Sequence, residues 1–68
     1  MPAMPTYRVF HQALPANING TAVVRTEDAA DARRRGARYV AWVLNRRGIV
    51  ARNDPATFAP GVTLEQVV

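Results

Sequence analysis

Apolar residues recur every three or four positions between residues 27 and 47, which is the spacing of an amphipathic helix. One stripe of this helix carries small and apolar side chains: Ala29, Gly36, Ala37, Val40, Val43 and Leu44. We expect this stripe to cover a sheet. Gly36 in its middle indicates either a close approach to the sheet or a bend in the helix. The pattern therefore predicts one long helix with a buried face.

The ends of the predicted helix carry matching signals. Thr26 is the expected N-cap, because its hydroxyl can accept a hydrogen bond from a free amide of the first turn. Gly48 is the expected left-handed residue that stops the helix. Charges complement the helix dipole, with acids near the start and arginines at the end: Glu27, Asp28, Asp31, Arg46 and Arg47. These signals place the helix at residues 27–47.

Two runs of strand-forming residues precede the helix. Residues 6–14 and residues 21–26 are rich in β-branched and aromatic side chains. Residues 15–20 connect them and end in Asn19-Gly20, a pair that favours tight turns because both residues tolerate positive φ. Together they predict a β-hairpin.

The chain after the helix is less regular. Residues 49–52 are predicted to form a short third strand, followed by a turn at residues 53–55. Residues 53–68 form a C-terminal extension of uncertain structure, in which residues 63–68 can be an edge strand or a short helix. Residues 1–5 contain two prolines and are expected to be extended or frayed.

The predicted order is β-β-α-β, with the second strand, the helix and the strand at 49–52 forming a right-handed crossover. This is a small α+β fold in which the helix packs on one face of a two- to four-stranded sheet. The chain has 68 residues, 49% of them hydrophobic and 21% charged. We therefore expect one folded domain spanning residues 1–68.

Composition narrows the possible chemistry. The chain has no cysteine, serine or lysine, so the usual nucleophiles, disulfides and thiolate metal ligands are missing. His11 is the only histidine and is expected to be a half-exposed strand residue, and one histidine without cysteine does not make a metal site. The glycines are isolated, so there is no phosphate-binding loop. We expect no enzymatic activity, no cofactor and no metal.

All nine basic residues are arginine, and the net charge is +4. Arginine, alanine, glycine and proline have GC-rich codons, so the composition is similar to that of small proteins from high-GC bacteria and their phages. Alternatively, guanidinium groups serve bidentate contacts to carboxylate or phosphate. No apolar run approaches the roughly 18 residues of a membrane helix, and the N-terminus lacks the regions of a signal peptide. We expect a soluble cytoplasmic protein without a membrane partner.

The helix face opposite the apolar stripe is the most informative surface. It carries Asp31, Arg34, Arg35, Arg38, Trp42, Asn45 and Arg46, with Tyr39 beside them. Tryptophan is unusual on such a polar face. Either the C-terminal segment folds over Trp42, or Trp42 is an exposed anchor for a partner. Arg38 and Arg46 each lie four residues from Trp42, so either guanidinium can stack on the indole.

These observations predict a non-enzymatic protein-binding module, a small accessory or inhibitor protein that docks onto an acidic partner surface. The predicted partner-binding residues form what we call the basic face: Arg35, Arg38, Tyr39, Trp42 and Arg46. Nucleic-acid binding through the same arginines is the alternative, although the net charge is modest and the known nucleic-acid-binding motifs are missing. A homodimer through this helix face or through a sheet edge is a third alternative.

Overall fold

The computed structural model describes residues 4–67, which form a sheet with one long helix packed against it. Strand β1 spans Thr6–Phe10, β2 spans Val23–Arg25 and β3 spans Thr63–Val67. The helices are α1, Ala29–Arg46, and the short α2, Pro55–Phe58, which continues into a 3-10 turn at Ala59–Gly61. This arrangement confirms the predicted α+β class, in which a hairpin, a long helix and a further strand follow one another.

Both ends of the chain lie outside the described residues. They are residues 1–3 of the predicted frayed segment 1–5, and Val68 at the end of the C-terminal extension. Within residues 4–67, no helix combines the length and the apolar character that a bilayer crossing requires.

β1 is the middle strand of the three-stranded sheet, and both neighbours run antiparallel to it in the order β2-β1-β3. Tyr7 lies opposite Val24 on one side, and Val9 lies opposite Leu64 on the other. Side chains alternate between the two faces of a strand. Val9 accordingly faces α1 and is fully buried, whereas the adjacent Arg8 is exposed.

The connection from β1 to β2, residues 11–22, is a compact loop where longer strands were predicted. Gly20 has a φ of +85°, the left-handed conformation that glycine adopts without strain. Its amide donates to the Val9 carbonyl at 3.1 Å, and the Asn19 side-chain oxygen accepts from the His11 amide at 3.0 Å. The antiparallel pairing of β1 and β2 confirms the hairpin. Its strands are shorter than predicted because loop hydrogen bonds occupy the backbone groups beyond them.

The helix begins two residues later than predicted, and Asp28, not Thr26, is its N-cap. The Asp28 carboxylate accepts from the Ala30 amide at 2.9 Å. The buried Thr26 hydroxyl accepts from the Asp28 amide at 3.3 Å and donates to the Asp31 carboxylate at 3.1 Å. The assignment of the cap to Thr26 was wrong because Asp28, an equally strong capping residue, lies closer to the first turn.

No strand forms at residues 49–52, so the predicted third strand and the crossover that included it were wrong. Gly48 stops the helix with a φ of +74°, as predicted. The chain then folds back, and the amides of Ile49 and Val50 both donate to the Leu44 carbonyl, at 2.9 and 3.3 Å. These bonds use the donors that a sheet would need. β3 fills the place beside β1 instead.

The predicted turn at residues 53–55 leads directly into α2. The Asp54 carboxylate caps this helix, accepting from the Ala56 amide at 3.2 Å and from the Thr57 hydroxyl at 3.1 Å. Pro55 takes the first helical position, where its missing amide has no consequence. α2 and the 3-10 turn carry the chain back to the sheet, so the C-terminal segment adopts the edge-strand alternative at β3.

The core lies where α1 crosses the sheet, and Gly36 is a point of close approach between them. A Cβ atom built on Gly36 would lie 3.1 Å from Cγ1 of Val9 and 3.2 Å from Cγ1 of Val62, which is tighter than most packed contacts. This supports the close-approach explanation for the glycine. The buried residues of α1 are Ala32, Gly36, Ala37, Val40, Ala41, Val43 and Leu44. Ala29, which was predicted to belong to the stripe, is exposed at the first helical position, ahead of the turns that face the sheet.

The two faces of α1 can be tested with matched substitutions. Val40 is fully buried, and Arg38 on the same helix is exposed. Val40→Asp should lower the free energy of unfolding by about 3 kcal/mol or more, because a buried carboxylate without a partner is strongly unfavourable. Arg38→Asp should change it by less than about 1 kcal/mol. Urea unfolding followed by circular dichroism measures both, and similar losses would mean that another face of α1 packs on the sheet.

Candidate partner-binding face

The five residues of the basic face all belong to α1, and their spacing of three and four places them on neighbouring turns. Arg35, Arg38 and Arg46 are exposed. Tyr39 is half-buried and packs partly against the core. Trp42, in the middle of the set, is 51% exposed. The helix thus brings all five predicted residues together on one surface.

The C-terminal segment does not cover Trp42, so that interpretation of the tryptophan is wrong. Phe58 packs edge-on against His11, with ring centroids 5.6 Å apart, and Val62 is buried in the core. The guanidinium carbon of Arg46 lies over the indole, 5.3 Å from the ring centroid. This is one of the two cation–π contacts that the spacing of four residues allowed.

Two ion pairs lie within residues 4–67, and both use Asp31. Its carboxylate pairs with the guanidinium of Arg34 and, at 2.9 Å, with Nε of Arg35. Among the described residues, Arg38 and Arg46 have no carboxylate within ion-pair distance. Two arginines without an acidic neighbour therefore flank Trp42, in the C-terminal half of the helix.

These neighbours favour the ionised form of the Asp31 carboxyl. Burial acts to raise the pKa of Asp31, but hydrogen bonds from Thr26 and Arg34 and the positive charges of Arg35 and Arg34 outweigh burial. The pKa of this carboxyl consequently lies below its usual value of 3.8. Near neutral pH, Asp31 carries its full negative charge and holds two arginine side chains against the N-terminal half of α1.

Two open grooves lie beside Tyr39 and Trp42, which we call the aromatic pair. Both side chains of this pair line both grooves. One groove, of about 380 Å³, is lined by Arg35, Arg38, Tyr39, Trp42, Asn53 and Pro55. The other, of about 260 Å³, is lined by Ile18, Tyr39, Trp42, Val43, Arg46 and Arg47. We call them the Asn53 groove and the Ile18 groove. Each combines two arginines with aromatic surface.

Five residues of these grooves lie outside the predicted site: Ile18, Val43, Arg47, Asn53 and Pro55. Ile18 comes from the loop between β1 and β2, and Asn53 and Pro55 come from the chain after α1. No regular spacing along the sequence links these three to the helix. Arg47 could have been included, since it follows Arg46, but it was interpreted only as a partner of the helix dipole.

His11 is 7% exposed, so its predicted half-exposed strand position is wrong. It follows the last residue of β1, and its Nδ1 atom accepts from the Ala13 amide at 3.0 Å. Its ring packs against Phe58 and lies next to Gly61 of the 3-10 turn, which accounts for the burial. Within residues 4–67, histidine and carboxylate side chains form no group of three that could hold a metal ion.

Comparison with known proteins identifies no relative: no family model matches the chain, and neither does any curated protein or any solved structure. Candidate functions therefore rest on the geometry and charge of the basic face itself.

The lowered pKa of Asp31 predicts a pH dependence of stability. Its ionised form stabilises the native state fully above pH 3.8, and this contribution is lost as the pH falls below that value towards the lower native pKa. Asp31→Asn should therefore be less stable than the parent at neutral pH, with a difference that shrinks in acid. Urea unfolding at a series of pH values measures this difference.

Arg35→Gln is the matched variant, because it removes one of the charges that lower the pKa of Asp31. The pH dependence attributed to Asp31 should weaken in this background. A difference between parent and Asp31→Asn that stays constant from neutral to strongly acidic solution would contradict the assigned role.

Proposed function

We propose that this protein is a non-enzymatic protein-binding module that docks its basic face onto an acidic surface of a partner protein. The observation that carries the proposal is Trp42, a half-exposed side chain with Arg46 over its ring and an open groove on each side. Tryptophan and arginine are strongly enriched among the residues that dominate binding energy at interfaces. A cytoplasmic accessory or inhibitor protein of a high-GC bacterium or a phage is the role that agrees with this surface and with the composition.

The balance of charges on the helix favours an acidic partner. Arg38 and Arg46 have no carboxylate partner within residues 4–67. A partner carboxylate can therefore form charge-assisted hydrogen bonds with them without breaking an existing ion pair. Trp42 adds apolar area that leaves water when the surfaces meet. Charge thus selects the partner, and the tryptophan contributes binding energy.

A second copy of the chain is a poorer partner for this face. Asp31 is the only acid among the residues of the outer helix face, and it is already paired with Arg34 and Arg35. Asp28, at the start of the helix, is occupied by the Ala30 amide. Two copies that meet through this face would oppose like charges, which disfavours association.

Reversing two charges on the basic face tests the proposal. Arg38→Glu combined with Arg46→Glu should abolish capture of the partner, because attraction for acidic groups becomes repulsion. The immobilised protein is exposed to the lysate of a plausible bacterial host, with and without nuclease, and the retained proteins are quantified. Circular dichroism shows whether the variant keeps its helix.

The matched control is Arg25→Glu combined with Arg52→Glu, which changes the net charge equally at two exposed arginines outside the basic face. This control should retain the same protein band as the parent, and the band should survive nuclease. If the basic-face variant also retains the band, docking occurs elsewhere and the proposal fails.

Nucleic-acid binding is the second candidate, and the aromatic pair favours it. Proteins that bind single-stranded nucleic acid stack bases on exposed aromatic rings and place phosphates on nearby arginines. The two grooves contain both components. However, Tyr39 is half-buried and Arg46 lies over the ring of Trp42, so a stacking base would compete with an existing contact at each ring. Protein docking therefore stands first.

We expect single-stranded DNA or RNA to bind weakly and without sequence preference, because only a few arginines can neutralise phosphates. Affinity measured by fluorescence anisotropy should fall with salt, since each neutralised phosphate releases counterions. Submicromolar binding at physiological salt, lost in the variant Arg38→Glu with Arg46→Glu, would place nucleic acid before an acidic protein.

A further inference from the structure

On the premise that the proposed docking function holds, we infer that the partner contributes a short acidic segment that spans both grooves. One carboxylate of this segment lies in the Asn53 groove and another in the Ile18 groove. An apolar side chain between them covers the aromatic pair. The partner is thus a protein segment with two separated acidic positions around an apolar residue, and it differs from a uniformly acidic surface.

Existing contacts distinguish the arginines that are already engaged from those that are available. In the Asn53 groove, Arg35 is held by Asp31 at 2.9 Å, which leaves Arg38 without an acidic partner among the described residues. In the Ile18 groove, Arg46 lies over the indole of Trp42, whereas Arg47 makes neither an ion pair nor a cation–π contact within residues 4–67. Each groove therefore contains at least one arginine that is free of both kinds of contact, Arg38 in the Asn53 groove and Arg47 in the Ile18 groove.

The separation of these two cations sets the length of the segment. Arg38 and Arg47 are nine residues apart at the end of α1, or about 14 Å along the axis at roughly 1.5 Å per residue. At about 3.6 residues per turn, nine residues also place them on opposite sides of the helix, so the segment must follow the helix surface around as well as along it. One carboxylate cannot contact both guanidinium groups across this distance. About four steps of an extended segment, at roughly 3.3 Å each, cover only the axial part of this separation, so its two acidic positions must lie more than about four residues apart.

The surface between the grooves requires an apolar group in the middle of the segment. The aromatic pair forms the common wall of the two grooves, and Trp42 is half-exposed there. An apolar side chain that covers this wall removes ring area from water. A carboxylate on the ring faces would lose water and meet the negative face of the aromatic rings, so it is disfavoured there.

Two synthetic peptides of identical composition test this inference on the full 68-residue chain. The spaced peptide has two glutamate pairs separated by glycines around a central leucine, and the compact peptide has the four glutamates together at one end. The fluorescence of Trp42, the only tryptophan of the chain, reports binding. The spaced peptide should bind at least about threefold more tightly, because only it can place a charge-assisted hydrogen bond in each groove.

Single substitutions assign the two grooves. Arg38→Gln and Arg47→Gln should each weaken binding of the spaced peptide about threefold to tenfold and should remove its advantage over the compact one. Arg52→Gln, at an exposed arginine outside both grooves, should leave binding of both peptides unchanged. Circular dichroism of each variant controls for loss of the fold.

The outcomes separate this inference from the docking function on which it depends. Equal binding of the two peptides, weakened by Arg38→Glu with Arg46→Glu, overturns the two-groove segment and leaves docking onto acidic protein intact. Failure of both peptides to bind overturns the segment, and overturns the docking function as well if the capture experiment also fails. If a single-stranded oligonucleotide of equal charge binds more tightly than either peptide, the occupant is nucleic acid and not an acidic segment. If sedimentation equilibrium shows a dimer that Arg38→Glu dissociates, the occupant is a second copy of the chain.

Discussion

The close contact between α1 and the sheet at Gly36 sets the arrangement of the whole protein. Because Gly36 has no side chain, Val9 of the sheet and Val62 before β3 pack directly against the helix backbone. This contact aligns one stripe of α1 with the sheet and buries Val40 and Leu44. A helix that is buried along one stripe must expose the opposite one. The orientation of Trp42 and its neighbouring arginines thus follows from packing in the core.

The charges on α1 are divided between its two halves. Asp31 neutralises part of the arginine charge in the N-terminal half, and these arginines in turn lower its pKa. Around Trp42, Arg38 and Arg46 have no carboxylate neighbour within residues 4–67. A core this small has few large side chains to use, and Trp42 nevertheless lies outside it. This combination is what supports the proposed binding surface.

Signals that act over a few residues predicted the helix and the hairpin correctly. Apolar periodicity and the left-handed Gly48 defined α1 to within two residues at its start, and Gly20 defined the turn region of the hairpin. Competition between neighbouring signals was harder to resolve. Thr26 and Asp28 are both good caps, and only the path of the chain into the first turn gave the position to Asp28.

The sequence by itself determined the helix, its two faces and the identity of the basic face, because these depend on periodicity and charge within one continuous segment. Tertiary structure decided which segment became the last strand. Residues 49–52 bond back to the Leu44 carbonyl, while β3 pairs with β1. Tertiary structure also decided that Phe58 packs on His11 and that Trp42 stays half-exposed. It brought residues from loops distant in the sequence to line the two grooves. Such outcomes depend on contacts between residues far apart in the chain, which local patterns do not encode.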